Sequence, residues 1–305
     1  LTACQPASSH YQQESYVFGT RVQITIEGVE DAKAQQATAA VLSNLDRLHH
    51  KYHAWQGSST LSQINRAFAQ KQAFTIDAET QSILTKASVY SQKSQSLFNP
   101  AMGGLIGLWG FHADTFGDNM PSAEAIQTWQ TQAPSMGDVS ITQGLVRSKN
   151  PAVQLDLGGI AKGWALDQSA AILRQHGIDN ALINIGGNIM ALGKNHDKPW
   201  RIALQHPRKN TPLAEINVND GEAIGTSGDY QRYFMHEGQR YCHIIDPRTG
   251  WPSMGTQSVS LITHTGPDAG IQSDALSKPF FIATPADAKK LAKTFHLDYI
   301  LMIDA

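Results

Sequence analysis

Residues 181–193, Ala-Leu-Ile-Asn-Ile-Gly-Gly-Asn-Ile-Met-Ala-Leu-Gly, constrain the fold of this 305-residue chain more than any other stretch. Two apolar runs meet at a Gly-Gly pair, which reads as a buried strand, a tight turn and a second strand. The segment Trp200 to Pro207 alternates and is expected to continue that sheet. Further strands are expected at 214–218, 241–245, 257–263 and 298–303. Near the start, Val17, Val22, Ile24 and Ile26 alternate with polar residues around Gly19 and read as strand, kink, strand.

Helical signals fall between these strands. Ala34, Val41, Leu45 and Leu48 recur at three- and four-residue spacing between Asp31 and about His49, which buries one stripe against a sheet. Asp77 is placed to cap a second helix carrying Ile83, Leu84, Ala87 and Tyr90. Gly159 to about Gln175 reads as a helix closed by Gly177, following a strand that ends at Asp156. Pro285 after Thr284 opens the last helix, with Leu291 and Phe295 facing inward. Residues 97–111 are apolar but broken by Pro and Gly, which argues for a close-packed loop, and 113–135 are polar and helical in places. Strands and helices interleave without a βαβ period or an internal repeat, so the class is α+β.

Composition narrows the partners. The formal charge is −2 and no dense run of Lys or Arg appears, so nucleic acid is not indicated. No apolar stretch reaches the roughly 18 residues of a membrane-spanning helix. Leu1-Thr2-Ala3-Cys4 looks like the end of a bacterial lipoprotein signal, with Cys4 as the lipidated residue and residues 1–15 as a remnant and flexible tether. The folded domain is expected over 16–305. Cys242 is the only other cysteine, so no disulfide framework exists.

The chemistry concentrates in a few segments. Gln154 to Asp167, Gln-Leu-Asp-Leu-Gly-Gly-Ile-Ala-Lys-Gly-Trp-Ala-Leu-Asp, places Asp156, Gly158, Gly159 and Lys162 where a helix begins. Bare amides at a helix N-terminus cradle phosphate, and Lys162 would add a cation; such Gly pairs also serve as plain tight connections. Asp156 would repel a phosphate unless a metal ion or a ligand N–H stands between. Three further segments share this composition: 225–234 (Gly-Thr-Ser-Gly-Asp-Tyr-Gln-Arg-Tyr-Phe), 241–252 with His243 before the turn Asp246-Pro247-Arg248-Thr249-Gly250, and 272–281 with Asp274 and Lys278 four apart.

Together with Phe18-Gly19-Thr20-Arg21-Val22-Gln23-Ile24, Ser59 to Asn65 and Leu108-Trp109-Gly110-Phe111, these motifs in this order resemble the ApbE family of FAD:protein FMN transferases from about Phe18 to the C-terminus. The resemblance implies an α+β fold of mixed sheets packed with helices, with an FAD pocket between two closely joined lobes. It implies an enzyme of the bacterial cell envelope, often lipid-anchored and facing the periplasm. Such an enzyme uses FAD and Mg²⁺ to attach FMN through a phosphoester to Thr or Ser of an acceptor flavoprotein, for example a subunit of a membrane electron-transfer complex, and releases AMP.

Carried over by position, Asp156 contacts the flavin substrate, Gly159 offers its carbonyl to the metal, and His243 is the general base. Phe18, Trp55 and the Ala101-Met102-Gly103 loop line the FAD pocket, with Trp55 in place of a usual Tyr. Asn99 and Ala101 differ from the common family choices. Asp274 matches a metal-binding aspartate, but Lys278 stands where the family usually has a Thr ligand. A protonated lysine has no lone pair and repels Mg²⁺. Either its ammonium takes the metal's place beside the pyrophosphate, or it pairs with Asp274 across one turn and attenuates the site. An FAD carrier and an FAD pyrophosphatase remain alternatives to the transferase.

Other features have plainer readings. Cys242 and His243 point to opposite faces of a strand, so Cys242 belongs to the core. His49, His50 and His53 are expected to be solvated at a helix end, Trp109 and Phe111 to be core, and Asp246 to form a turn.

Overall fold

The computed structural model describes residues 10–112 and 120–304, so the Cys4 motif lies outside the described residues. Residues 10–15 of the expected tether are instead the start of a strand. His10–Val17 pairs along its length with Thr20–Glu27, and Phe18 and Gly19 turn the hairpin with φ of 57° and 66°. The expected kink is therefore a tight turn. Phe18 is held in the left-handed region that side chains other than glycine rarely enter.

That hairpin forms one side of a seven-stranded sheet. Its order continues through Ala181–Ile185, Asn188–Leu192, Ala223–Gly228, Thr256–Thr263 and Tyr299–Asp304, with every neighbour antiparallel. Gly186 and Gly187, both at positive φ, make the two-residue turn at the centre. Ile183 and Ile185 enter the main core, while Ile189 and Ala191 face a second apolar cluster on the other side. Burial on both faces explains why this hairpin is mostly apolar.

Among the described residues eight α-helices accompany the sheet: α1 (Asp31–Tyr52), α2 (Thr60–Ala69), α3 (Ala78–Lys93), α4 (Gly103–Leu108), α5 (Ala123–Gln132), α6 (Ala161–Gln175), α7 (Ala269–Ile282) and α8 (Pro285–Phe295). Asp77 caps α3 by accepting the Thr80 amide, and Thr284 caps α8. Ser59 does the same for α2, which periodicity did not reveal. The expected loop at 97–111 contains the short helix α4. Trp200–Gln205 does not extend the main sheet; with Pro212–Val218 it forms a separate ribbon whose Trp200, Ile202, Leu204 and Val218 cover Ile189, Ala191 and Ile224. An alternating strand has one apolar face, and that face is satisfied equally by stacking on a sheet or by joining one.

Helices α6 and α7 meet at van der Waals limits. A Cβ at Gly163 would overlap the carbonyl of Gly270, and one at Gly270 would sit 2.6 Å from the carbonyl oxygen of Gly163. On the sheet side, a Cβ at Gly225 would overlap the carbonyl of Ser273. Aspartates then cap the two helices reciprocally. Asp167 of α6 accepts the amides of Gly270 (2.7 Å) and Ile271 (2.9 Å), while Asp274 of α7 accepts the amide of Gly163 at 2.9 Å. Gly163→Ala is expected to lower the unfolding free energy by about 1–3 kcal/mol in a denaturant titration, since the backbones must part to admit one methyl.

Candidate active site

The turn between Leu155 and α6 carries Asp156, and it is not the end of a strand. Gln154 makes a single bridge to Met102, and the Asp156 amide donates to the Pro100 carbonyl at 2.8 Å. The Gly103 amide donates to the Gln154 carbonyl at 2.8 Å, so the 100–103 backbone lies directly against the Asp156 segment. The side chains of that loop turn away. Ala101 is in the main core, Met102 joins Leu105 and Trp109 in another cluster, and a Cβ on Gly103 would meet the Gln154 carbonyl at 2.7 Å. Only main-chain groups of Ala101 to Gly103 are therefore positioned for a ligand here. Asn99 fixes the loop, accepting the Ala101 amide at 3.1 Å and donating to the Pro134 carbonyl at 3.0 Å.

The expected phosphate cradle is rearranged. The Gly158 amide donates to Asp156 Oδ1 at 2.6 Å, and the Gly163 amide is taken by Asp274. These carboxylates take two amides that an anion could otherwise use, so side-chain charge carries more of that work. Burial pushes the Asp156 carboxyl above its ordinary range, against the Gly158 amide and the charges of Arg232 and Lys162.

Asp274 is fully buried, and its carboxylate is held by groups from both α6 and α7. Lys278, one turn along α7, bonds its Oδ1 and also donates to its main-chain carbonyl at 2.8 Å. Lys162 stands 4.0 Å from the same Oδ1, and Gly163 holds Oδ2. Burial alone would raise this carboxyl; Lys162 and Lys278 outweigh it and hold the group ionised below its ordinary pKa. Burial brings Lys278 down to about 8 against the pull of Asp274. The magnesium site implied by the family resemblance does not fit this donor set. Both oxygens of Asp274 are engaged, an ammonium stands at the Thr position, and among the described residues no group of three His, Cys, Asp or Glu converges to hold a metal. Gly159 does lie beside Lys278, whose Cε would be 3.7 Å from a Cβ there.

His243 follows the strand Gln239–Cys242, and its amide and its Nδ1 both donate to the Arg232 carbonyl, at 2.9 and 3.2 Å. A carbonyl only accepts, so the proton sits on Nδ1 and Nε2 keeps its lone pair. Burial first, then the Arg232 and Lys162 charges, lower its pKa to about 3. Lys162 acts electrostatically on Asp156, His243, Asp274 and Lys278 alike, which places all four in one field. Arg232 was not singled out in the sequence. Its position in the 225–234 segment was the available signal, and it acts on both Asp156 and His243.

Aromatic rings run toward this cluster. Phe18 packs edge-on against His49 (5.6 Å), His49 against His53 (5.1 Å), and Trp55 stacks on His112 at 3.2 Å. His49 and His53 are thus part of a half-buried stack, whereas His50 is exposed as expected: burial lowers the pKa of His49, and His53 Nδ1 accepts the Trp55 amide. Cys242 is in the core, with its thiol pushed to about 11 by burial. Trp109 and Phe111 are core as expected, and Asp246 accepts the Arg248 amide within its turn. The site lies at the seam between two apolar clusters: Leu155, Leu157 and Ile244 belong to one, Met102, Phe111 and Ile245 to the other. One surface hollow of about 340 Å³ lies away from this cluster by His264 to Ala269, and another of about 190 Å³ lies by Gln95, Ser96 and Asn99.

A folded-state histidine pKa near 3 means that the unfolded chain binds the extra proton between about pH 6.5 and 3. His243 therefore makes stability fall as pH drops through that window. His243→Gln is expected to reduce this slope in pH-dependent denaturant titrations, and the wild-type ring should stay neutral in its Nδ1–H form from pH 5 to 8 by NMR.

Comparison with known proteins identifies the family. A model of the ApbE family matches residues 18–301. The chain is 38% identical over 303 residues to an FAD:protein FMN transferase of Rhodobacter capsulatus, covering 99% of this chain and 56% of that one, so it spans little more than half of that relative. A Klebsiella pneumoniae FAD:protein FMN transferase is 29% identical over 298 residues, covering 96% and 84%. The crystal structure of an ApbE protein from Thermotoga maritima superposes with a TM-score of 0.88 at 30% identity, covering 97% of this chain and 94% of that one. The flavin transferase ApbE of Vibrio cholerae gives 0.85 at 26%, covering 98% and 94%. With its motifs, its α+β architecture and nearly its whole length accounted for, the chain belongs to the ApbE family.

Proposed function

We propose that this chain transfers FMN from FAD to a Thr or Ser hydroxyl of an acceptor flavoprotein, forming a phosphoester and releasing AMP. The observation that carries this reading is the single field holding a neutral His243, the cations Lys162, Arg232 and Lys278, and the carboxylates Asp156 and Asp274. The acceptor oxygen attacks the phosphorus of the FMN half. The bond from that phosphorus to the bridging oxygen breaks, and AMP leaves with the electron pair. The hydroxyl proton passes to Nε2 of His243.

A base whose pKa is lowered to about 3 by burial and by the nearby cations is weak in the free protein. The negative charges of a diphosphate offset Arg232 and Lys162 and raise His243 toward a useful basicity only when FAD is bound. Asp156, with one oxygen on Gly158, has acceptor capacity left for a ring N–H of the flavin, and Phe18 and Trp55 offer aromatic surface. Catalysis in this reading is positioning and charge neutralisation. The acceptor is a flavoprotein subunit of a membrane electron-transfer complex, and attachment through a lipid on Cys4 keeps the two at one surface of the cell envelope, facing the periplasm.

Incubation of the protein with FAD and a candidate acceptor domain is expected to give an FMN mass increment on Thr or Ser and one AMP per adduct. AMP and free FMN without an adduct would instead make the chain an FAD pyrophosphatase, and FAD uptake without AMP a carrier. His243→Ala should keep FAD binding and slow transfer about 10²–10⁴-fold; undiminished transfer removes His243 from the mechanism. Fatty-acid labelling in cells should be lost in Cys4→Ser, and labelling that persists refutes the anchor.

A further inference from the structure

Lys278 is built into the site. Its stem passes Gly159, its ammonium bonds both the side chain and the carbonyl of Asp274, and its side chain is 18% exposed. Those bonds use two of three ammonium donors, so the charge is fixed in place while one donor is still available. Pairing with Asp274 across one turn and standing at the metal's expected position are thus one arrangement. Lys162 approaches the same carboxylate from α6. Around the turn at Gly158 and Gly159, three cations then face two carboxylates, one of which burial drives toward its neutral form. The local balance favours an anion.

A divalent ion at the same place would need several oxygen ligands at short range, and Asp274 has both oxygens committed. An ammonium supplies the same sign of charge to a phosphate oxygen without a coordination shell. We propose that Lys278 is the resident cation of this site: with Lys162 it holds the diphosphate of FAD directly, and the chain takes up FAD with no divalent metal. This rests on the flavin-transfer reading above. Lys278 then contacts the substrate, and Asp274 is the residue that positions it.

The test is titration calorimetry of FAD into the full chain, once with EDTA and once with Mg²⁺. The expected dissociation constants agree within about threefold. Lys278→Thr in EDTA should bind at least about tenfold more weakly, the loss of one charge-assisted hydrogen bond, and Lys278→Arg should bind within that range of wild type. Wild-type uptake that collapses in EDTA and returns with Mg²⁺ overturns the proposal, as does Lys278→Thr binding FAD in EDTA like wild type. Either result leaves flavin transfer standing. No uptake of FAD under either condition removes both. Thermal melts of the variants report folding, and if the Thr variant is unfolded the wild-type and Arg measurements decide.

Discussion

The reciprocal capping of α6 and α7 is the constraint on which the rest of the site depends. Each helix lends one aspartate to the first turn of the other, and glycines at the crossing let the backbones approach closely enough for those side chains to reach. Capping is worth about 0.5–2 kcal/mol per helix, but its geometric effect matters more here. It fixes Asp274 beside Gly163, and therefore sets Lys162 on one helix and Lys278 on the other against a single buried carboxylate. A buried charge deprived of its partners costs several kcal/mol, so the three groups stand or fall together.

The same packing explains the electrical character of the site. Glycine main chain usually suggests that amides will bind the anion, yet Asp156 and Asp274 have claimed the amides of Gly158 and Gly163. The attraction we propose for a diphosphate passes to Lys162, Arg232 and Lys278, while burial, with Arg232 and Lys162 adding to it, holds the neighbouring imidazole neutral. Stability and reactivity are therefore coupled through shared residues.

Much of this was legible in the sequence, because the signals were local. The Gly-Gly hairpin at 181–193, the stripe of α1, the Asp77 cap and the Thr284-Pro285 start of α8 each follow from spacing or one side chain. Family motifs located Asp156, His243, Asp274 and Lys278. What escaped depends on tertiary placement. Trp200–Gln205 reads identically whether it joins a sheet or stacks on one, and the 97–111 stretch hid a six-residue helix behind its glycines. Nothing local in 154–163 says that Gly158 will turn its amide to Asp156, or that Ala101 and Met102 will bury their side chains and present only backbone. Arg232 became visible only when His243 was seen to hang from its carbonyl.

The order of the seven-stranded sheet carries a practical corollary. His10–Val17 and Tyr299–Asp304 are its two outermost strands, six inter-strand spacings or about 29 Å apart. Groups attached to these two strands would sit at opposite edges of the sheet, and distance labels there would act as a ruler for its intact order.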